Sequence, residues 1–285
     1  MSELVALQCE ACGGAVAFGA GAPEPRCLFC GTAQLVEVPL PEEVEPPAGF
    51  LPFRVDEDGA RAAFRAFASR SIWYPGDLRH ARLKLHALLL PAWSWQGTVE
   101  THWNALVRDT STKSDKRPVA GRARMSAEGV LIPASATLSR KELEGISPFE
   151  PDALRPVGEA EAPHEVGSLT RTAARKAAME GLLAMHAAAL TRELSPTRLR
   201  TAAIYEGLEG GPLLLPVWIG AYRRGEKVFR VVVNGQTGKL VGKAPLSWIR
   251  IAFAVAVVLA LLGGIVAVIG AVALWEAGYR PVIPW

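Results

Sequence analysis

The residues of this chain best suited to chemistry are its four cysteines, which all lie within the first 30 positions. They form two C-x2-C pairs, Cys9 with Cys12 and Cys27 with Cys30, and a glycine follows the second cysteine of each pair. One such pair places two thiolates on a tight turn, and two pairs can close a tetrahedral four-thiolate site around Zn2+. We therefore expect a structural zinc ribbon over residues 1–38, with Cys9, Cys12, Cys27 and Cys30 as its metal ligands.

Two other interpretations of the cysteines are two disulfides and a redox-active C-x-x-C motif. Disulfides persist in oxidising compartments, and Met1 to Leu7 has no basic region of the kind that begins a secretory signal peptide. A thioredoxin-type motif occurs singly and opens a helix in a βαβ unit. Zinc is therefore the preferred interpretation, and a reducing cytoplasm suits its thiolate ligands.

Charge is distributed unevenly along the chain. Residues 1–49 contain one basic and seven acidic residues, whereas residues 50–249 contain 28 basic and 20 acidic residues. Nucleic-acid binding depends largely on Lys and Arg at phosphates, so an acidic ribbon argues against it. The basic body would gain from an anionic membrane surface, although ordinary surface charge is an equally open interpretation.

A long apolar segment near the C-terminal end predicts a single transmembrane helix over residues 248–275. Residues 251–275 carry no charge, and about 20 apolar residues suffice to cross a bilayer core of about 30 Å. A buried core helix is the alternative, but such helices are rarely so long and wholly apolar. Lys239, Lys243 and Arg250 precede the helix, and Arg280 alone is basic in the short tail, residues 276–285. The positive-inside rule then places the large N-terminal part in the cytoplasm, on a single-pass inner-membrane protein.

The apolar segment also contains small residues at intervals of four, from Ala252 to Gly264. Small residues at this spacing allow two membrane helices to approach closely. Homo-oligomerisation through the helix is therefore an open option.

Between the ribbon and the membrane segment, the sequence predicts a linker and a duplicated body. Residues 39–49 are rich in Pro and Glu and are typical of a semi-rigid linker. Within the body, residues 50–246, the hexamer Leu88–Trp93 recurs as Leu213–Trp218. This repeat predicts two related α+β units, residues 50–135 and 165–246.

Hydrophobic periodicity predicts helices and antiparallel strands in both units. Residues 60–71 and 168–194 are predicted helices, and the second should face inward through Leu169, Ala173, Leu182, Met185 and Ala189. Alternating residues from Trp93 predict a half-buried strand that returns over 122–132, and residues 213–233 predict a hairpin. The predicted fold class is α+β, with an N-terminal ribbon, a duplicated antiparallel body and one C-terminal membrane helix.

No pattern of catalytic residues emerges, so we do not expect an enzyme. The stretch Val233–Lys239, V-N-G-Q-T-G-K, lacks the glycine spacing and the hydroxyl residue of a phosphate-binding loop and predicts a turn. The five histidines are scattered outside known metal-ligand patterns, and His86 and His186 are best interpreted as structural residues in apolar segments.

The order of these motifs resembles that of bacterial zinc-ribbon membrane proteins of the transcription factor B type, some of which are labelled helicase-like. The resemblance rests on the two CxxCG pairs, on Leu215–Trp218 and above all on Val233–Lys239. Some relatives are linked to SPFH-domain and phage-shock proteins of envelope stress. The resemblance therefore implies a membrane-recruitment adaptor with a protein partner of the SPFH-domain type.

These observations together predict a non-enzymatic, membrane-anchored zinc-ribbon adaptor that recruits a cytoplasmic protein to the inner membrane. The alternative is a membrane-tethered zinc ribbon that binds nucleic acid, with its charge supplied by the segment Lys113–Arg124.

Overall fold

The structure is a computed structural model and describes residues 4–10, 15–19, 27, 32–38, 44–81, 83–108, 116–150, 153–160, 162–224 and 227–276. The contacts divide the chain into two compact units. The first comprises residues 1–64 and 82–243, and the second comprises residues 65–81 and 244–285.

The described chain combines helices with runs of strands that pair almost wholly antiparallel, which confirms the predicted α+β class. The helices are α1 (Glu57–Ser69), α2 (Arg140–Ile146), α3 (Arg171–Leu194) and α4 (Trp248–Glu276), with short 3-10 helices at Gly76–His80 and Val157–Glu159. The strands are β1 (Leu4–Cys9), β2 (Ala15–Gly19), β3 (Leu35–Val38), β4 (Lys84–Arg108), β5 (Lys116–Pro133), β6 (His164–Glu165), β7 (Arg198–Arg224), β8 (Lys227–Asn234) and β9 (Leu240–Gly242).

The nine described strands belong to one sheet in the first unit, in the order β3-β1-β2-β6-β4-β7-β8-β9. Strand β5 also pairs with β4, but along a different stretch of β4 from the one that pairs with β6. Every pairing between these strands is antiparallel except the short parallel contact between β6 and β4. The two-residue strand β6 therefore joins the strands of the cysteine region to those of the body.

The two copies of the repeated hexamer pair with each other at the centre of the sheet. Leu88 lies opposite Val217, Leu90 opposite Leu215, and Ala92 opposite Leu213. The first five positions of one copy thus meet the mirror positions of the other, as if a local twofold axis passed between Leu90 and Leu215. The two copies thus occupy equivalent places in the sheet, while the duplication of the body into units 50–135 and 165–246 stays a prediction.

Each hexamer pairs on one side with the other hexamer. On its other side the partner segment changes at a proline. On β4, β5 ends opposite Ala92 and β6 lies opposite Leu89, so Pro91 falls between the two partners. Pro216 occupies the equivalent place on β7, since β8 ends at Asn234, opposite Val217. Since proline has no N–H to donate, such junctions are where a central strand tolerates it.

Bulges with glycines in β5 and β7 lie on either side of β4 near Gly97. The N-terminal half of β4, before this point, is more buried than the half that follows it. The register shifts by one residue against both β5 and β7 close to Gly97. Gly129 of β5 and Gly207 of β7 have φ of 64° and 57°, a left-handed conformation that favours glycine. A Cβ on Gly97 would lie 2.9 Å from Cα of Leu208, so the strands cross this point too closely for a larger residue.

The core of the first unit lies on both faces of the paired hexamers. Leu88, Leu90 and Leu215 are fully buried with α2 on one face, whereas Leu89 and Leu214 pack with Phe50 on the other.

Helix α3 covers the sheet with small side chains rather than with the residues that the sequence predicts. Ala174 and Ala178 pack against Trp93 and Trp95, whose rings stack with centroids 5.7 Å apart. The inward prediction is right for Leu182 and for the partly buried Leu169, but wrong for Ala173, Met185 and Ala189, which are exposed. The sequence signal is weak here, because alanine is frequent on every face of this helix and periodicity does not single out the buried one.

The second unit contains the one helix among the described residues that is long and apolar enough to cross a membrane. Residues Trp248–Ala273 of α4 meet that criterion, and none of the most apolar window is buried. This confirms the predicted candidate span at the level of length and composition. Helix α4 begins against the segment 72–74 of the same unit, where Ser247 N donates to Trp73 O at 2.8 Å.

Candidate functional site

Two of the four cysteines lie within the described residues. Cys9 ends β1 and lies opposite Leu35 of β3, and the backbone N–H of Cys27 donates to Thr32 O at 2.8 Å. Both cysteines are buried, at 1% and 5% exposure, and belong to the same core cluster. Cys12 and Cys30 lie outside the described residues.

The donor chemistry at these positions fits zinc. The two buried thiols come one from each C-x2-C pair, and a shared four-thiolate site draws its ligands from both pairs. Within the described ranges no three His, Cys, Asp or Glu residues converge as a metal-binding group, since two of the expected ligands are outside them. The zinc site with Cys9, Cys12, Cys27 and Cys30 stays a prediction.

The cysteine region is joined to the body through β6. His164 lies opposite both Ala17 of β2 and Leu89 of β4, and Glu165 lies opposite Val16. Burial lowers the pKa of the His164 imidazole. The hydrogen-bonded ladder therefore runs from the predicted ribbon to the centre of the body without a break at this point.

Glu165 is a buried carboxyl at this junction that sequence reasoning does not single out. It is 1% exposed and accepts hydrogen bonds from Ser135 Oγ, from Ala136 N at 2.9 Å and from Thr137 Oγ1 at 3.0 Å. Burial raises the pKa of Glu165 to about 7, although hydrogen bonds from Ser135, Thr137 and Ala136 pull it in the opposite direction. A two-residue strand has too short a period to reveal this position in the sequence.

A cavity of about 330 Å³ lies beside Glu165 and is lined mostly by apolar residues. The linker segment Val44–Pro47 and Trp93 both line it. Arg171 holds the linker there, since its guanidinium donates to both carboxylate oxygens of Glu45 at 2.6 Å and lies 5.1 Å from the ring of Trp93. The hydrogen bond and charge of Arg171 lower the pKa of Glu45.

A carboxyl with a pKa near 7 beside a cavity can serve as a general acid or base, so its surroundings decide its role. All three groups that donate to Glu165 belong to the turn that follows β5. We interpret Glu165 as the residue that holds this turn. The buried side chain of Asn234 holds the turn after β8 in a similar way, since it also accepts hydrogen bonds from backbone N–H groups of the turn.

That second turn is the stretch Val233–Lys239, and it confirms the predicted turn. Asn234 is fully buried, donates from Nδ2 to Ile146 O and Pro148 O at 2.8 Å, and accepts from Gln236 N at 2.7 Å. Gly235 has Phe53 only 2.6 Å from the place of a Cβ, so a side chain does not fit there. The stretch that carries the family resemblance thus fastens the loop after α2.

The histidines have different roles. His186 on α3 is buried, and its Nδ1 lies 2.6 Å from Oγ1 of the buried Thr101 on β4, in accord with the structural role predicted for it. His86 is exposed, so the same prediction is wrong there: it lies on the solvent side of β4 in the alternation between Leu85 and Ala87.

The sheet beyond the glycine bulges has an uncovered basic face. Helix α3 packs on one side of it, against Val99 and Thr101, while even-numbered residues of β4, β5 and β7 lie on the other. Six exposed cations share that side, with Glu100 and Glu206 as its acidic residues: Arg108, Lys116, Arg122, Arg124, Arg198 and Arg200. We call these six residues the basic face. Only Arg124 among them forms an ion pair within the described part of the chain, at 2.6 Å from Glu206.

Comparison of the chain with models of known protein families, with curated proteins and with solved structures gives no match. Function must therefore follow from the residues and their geometry.

Proposed function

We propose that this protein is a non-enzymatic adaptor, anchored in the inner membrane by α4, whose N-terminal zinc ribbon binds a cytoplasmic protein. The observation that carries the proposal is the apolar span Trp248–Ala273 of α4, 26 residues long, whose most apolar window has no buried residue. A helix that is apolar all round and uncovered in water is unstable, whereas a bilayer provides the environment that it needs.

The charge of the N-terminal region supports a protein partner over nucleic acid. Residues 1–49 have a net charge of −6, since they contain one basic and seven acidic residues. Four zinc-bound thiolates would make this region still more negative. An acidic surface repels phosphates but complements a basic protein surface. The motif resemblance points to a partner of the SPFH-domain type.

The architecture supports a linked rather than a freely hinged ribbon. The ladder through β2, β6 and β4 and the pair between Arg171 and Glu45 connect the cysteine region and its linker to the body. A partner bound to the ribbon would therefore be held close to the body and tethered by the same chain to the membrane.

The experiment has two arms on the full chain. In the first, carbonate extraction of membranes should leave the protein in the pellet if α4 spans the bilayer; release into the supernatant would refute the anchor. In the second, wild-type protein and the Cys9→Ser/Cys12→Ser variant are captured from native membranes. A partner retained by wild type and lost with the variant supports the adaptor, and identical partners in both captures would refute it.

Metal content distinguishes loss of zinc from general unfolding. Wild-type protein purified without chelator should contain about one Zn2+ per chain. Chelator treatment should release the partner, and added zinc should restore it, whereas added magnesium should not. A zinc-free wild-type protein from anaerobic purification would refute the metal site.

The basic face supports a second candidate, a membrane-tethered protein that binds nucleic acid. Neighbouring cations on one strand, such as Arg122 and Arg124, lie two residues apart, about 7 Å along a strand. The Arg122→Glu/Arg200→Glu variant would then lose salt-dependent DNA binding. The matched control, Arg175→Glu/Arg192→Glu, makes the same charge change on α3, on the other side of the sheet, and should retain it. Absence of salt-dependent binding by wild type would remove this candidate.

A further inference from the structure

The second unit presents two large apolar side chains in the turn 71–74, which lies beside the start of α4. Tyr74 N donates to Ser71 O at 3.2 Å and closes the turn, which leaves Ile72 73% exposed and Trp73 38% exposed. Large apolar residues that are this exposed and adjacent usually mark a surface that another phase or molecule covers.

The turn is fastened to the first residues of α4. Arg250 Nη1 donates to Ile72 O at 2.7 Å and to Tyr74 O at 2.9 Å, while Ser247 N donates to Trp73 O. One arginine and one amide therefore hold three successive carbonyls of the turn. These hydrogen bonds keep the turn beside residues 247–250. The turn therefore lies at the same depth in a membrane as those residues.

The depth of residues 247–250 follows from the length of the apolar segment. The uncharged run 251–275 is about 37 Å long as a helix, whereas a bilayer core is about 30 Å thick. Residues 247–250 then lie just outside the core, in the headgroup region. Trp248 and Ile249 are 77% and 84% exposed there, and aromatic rings favour that region.

We propose that the turn 71–74 is a second membrane contact, with Ile72 and Trp73 inserted into the lipid interface of the bilayer that α4 crosses. The inference rests on the proposed anchoring by α4. The occupant is phospholipid because the turn is hydrogen-bonded to the first residues of the membrane helix, and Trp suits the interface through its apolar ring and polar N–H. Arg250 contributes twice, since it binds the turn carbonyls and places a cation at headgroup level.

The contact has a consequence for the anchor. A lone helix is free to rotate and tilt in the bilayer, whereas a helix with a bound interfacial turn has one preferred face toward the surface. Ile72 and Trp73 thereby select the orientation in which the N-terminal end of α4 is held.

The test uses the full chain in phospholipid nanodiscs, with and without lipids brominated on acyl carbons close to the glycerol. Bromine quenches only indoles in contact with the lipid. The emission of one tryptophan is isolated as the difference between wild type and its Phe variant, for Trp73→Phe, Trp248→Phe and Trp93→Phe. Trp248 reports on the membrane helix, and Trp93, which is 1% exposed in the core, is the negative control.

We expect bromination to quench Trp73 to an extent similar to Trp248 and to leave Trp93 unchanged. The Arg250→Gln variant should lose quenching of Trp73 and keep that of Trp248, because only the turn is released. Quenching of Trp248 without quenching of Trp73 would overturn the inference and leave the anchor intact, including the case in which a protein covers Trp73. No quenching of Trp248 would instead overturn the anchor itself.

Discussion

Replacing Glu165 with glutamine should remove a pH-dependent loss of stability from the folded protein. The pKa of this buried carboxyl is about 7 in the fold, against an ordinary value of 4.5. Between those values the folded state keeps a proton that the unfolded chain releases. The free energy of unfolding therefore falls as the pH rises from about 4.5 to about 7, and the loss is complete above the folded pKa.

The size of the loss follows from the same two values. The difference corresponds to about 3 kcal/mol, at 1.36 kcal/mol for each pKa unit. Glu165 is 1% exposed, so solvent screening does not reduce this figure greatly. For a unit of this size, 3 kcal/mol lowers the Tm by about 6–12 °C.

The assay is thermal unfolding of the full chain in mild detergent, followed by tryptophan fluorescence from about pH 5 to about pH 8. The Tm of Glu165→Gln minus that of wild type should increase with pH over this range. Protonation of cysteine thiolates acts at low pH in the opposite direction, but it is common to both proteins and cancels in the difference. Glu209→Gln, the same change at an exposed position of β7, should show no such trend. A difference that is flat, or that decreases with pH, would refute the assignment of a neutral buried carboxyl.

Three further predictions concern the buried polar groups and the metal. Cys9→Ser should reduce bound zinc from about one per chain to almost none, as measured by atomic absorption, whereas Ser126→Ala on exposed β5 should not. Thr101→Val should cost about 1–3 kcal/mol, because it leaves His186 Nδ1 buried without its partner; an unchanged Tm would contradict the hydrogen bond. Asn234→Ala should cost about 2 kcal/mol or more and increase proteolysis of the loop at residues 146–150, since two carbonyls lose their donor. Unchanged proteolysis would show that the loop is held by other contacts.

Long and strongly patterned segments could be predicted from the sequence. The alternation after Trp93 matches the strand β4, and the helix expected at residues 60–71 is α1, which begins slightly earlier and is capped by Asp56 through Gly59 N at 2.8 Å. These segments depend on local periodicity, which a single sequence contains.

The pairing of the two repeated hexamers with each other could not be predicted from local periodicity. The repeat itself is visible in the sequence, but its copies could equally have formed two separate hairpins. The direct pairing of Leu90 with Leu215 is a tertiary choice, because it buries both copies in one core. The face of α3 is also set by tertiary packing, against Trp93 and Trp95.

The candidate sites show the same division. The spacing of the cysteines is enough by itself to predict a metal site. Glu165 and the turn at Ile72 and Trp73 have no sequence motif, because their significance comes from partners distant in the chain: the turn after β5 for Glu165, and Arg250 for the turn. Burial and partner identity are properties of the fold and not of the local sequence.

The pairing of the two hexamers has a consequence for the order of folding. Leu90 must wait for Leu215, which follows 125 residues later, before the centre of the sheet can close. Closing so long a loop is entropically costly, and sheets with distant pairings fold slowly. During synthesis β4 can pair with β5 as soon as that hairpin is made, but its other edge stays open until β7 emerges. That edge includes the apolar run Leu88–Leu90, so chaperones should engage the nascent chain after β5 and release it once β7 has paired.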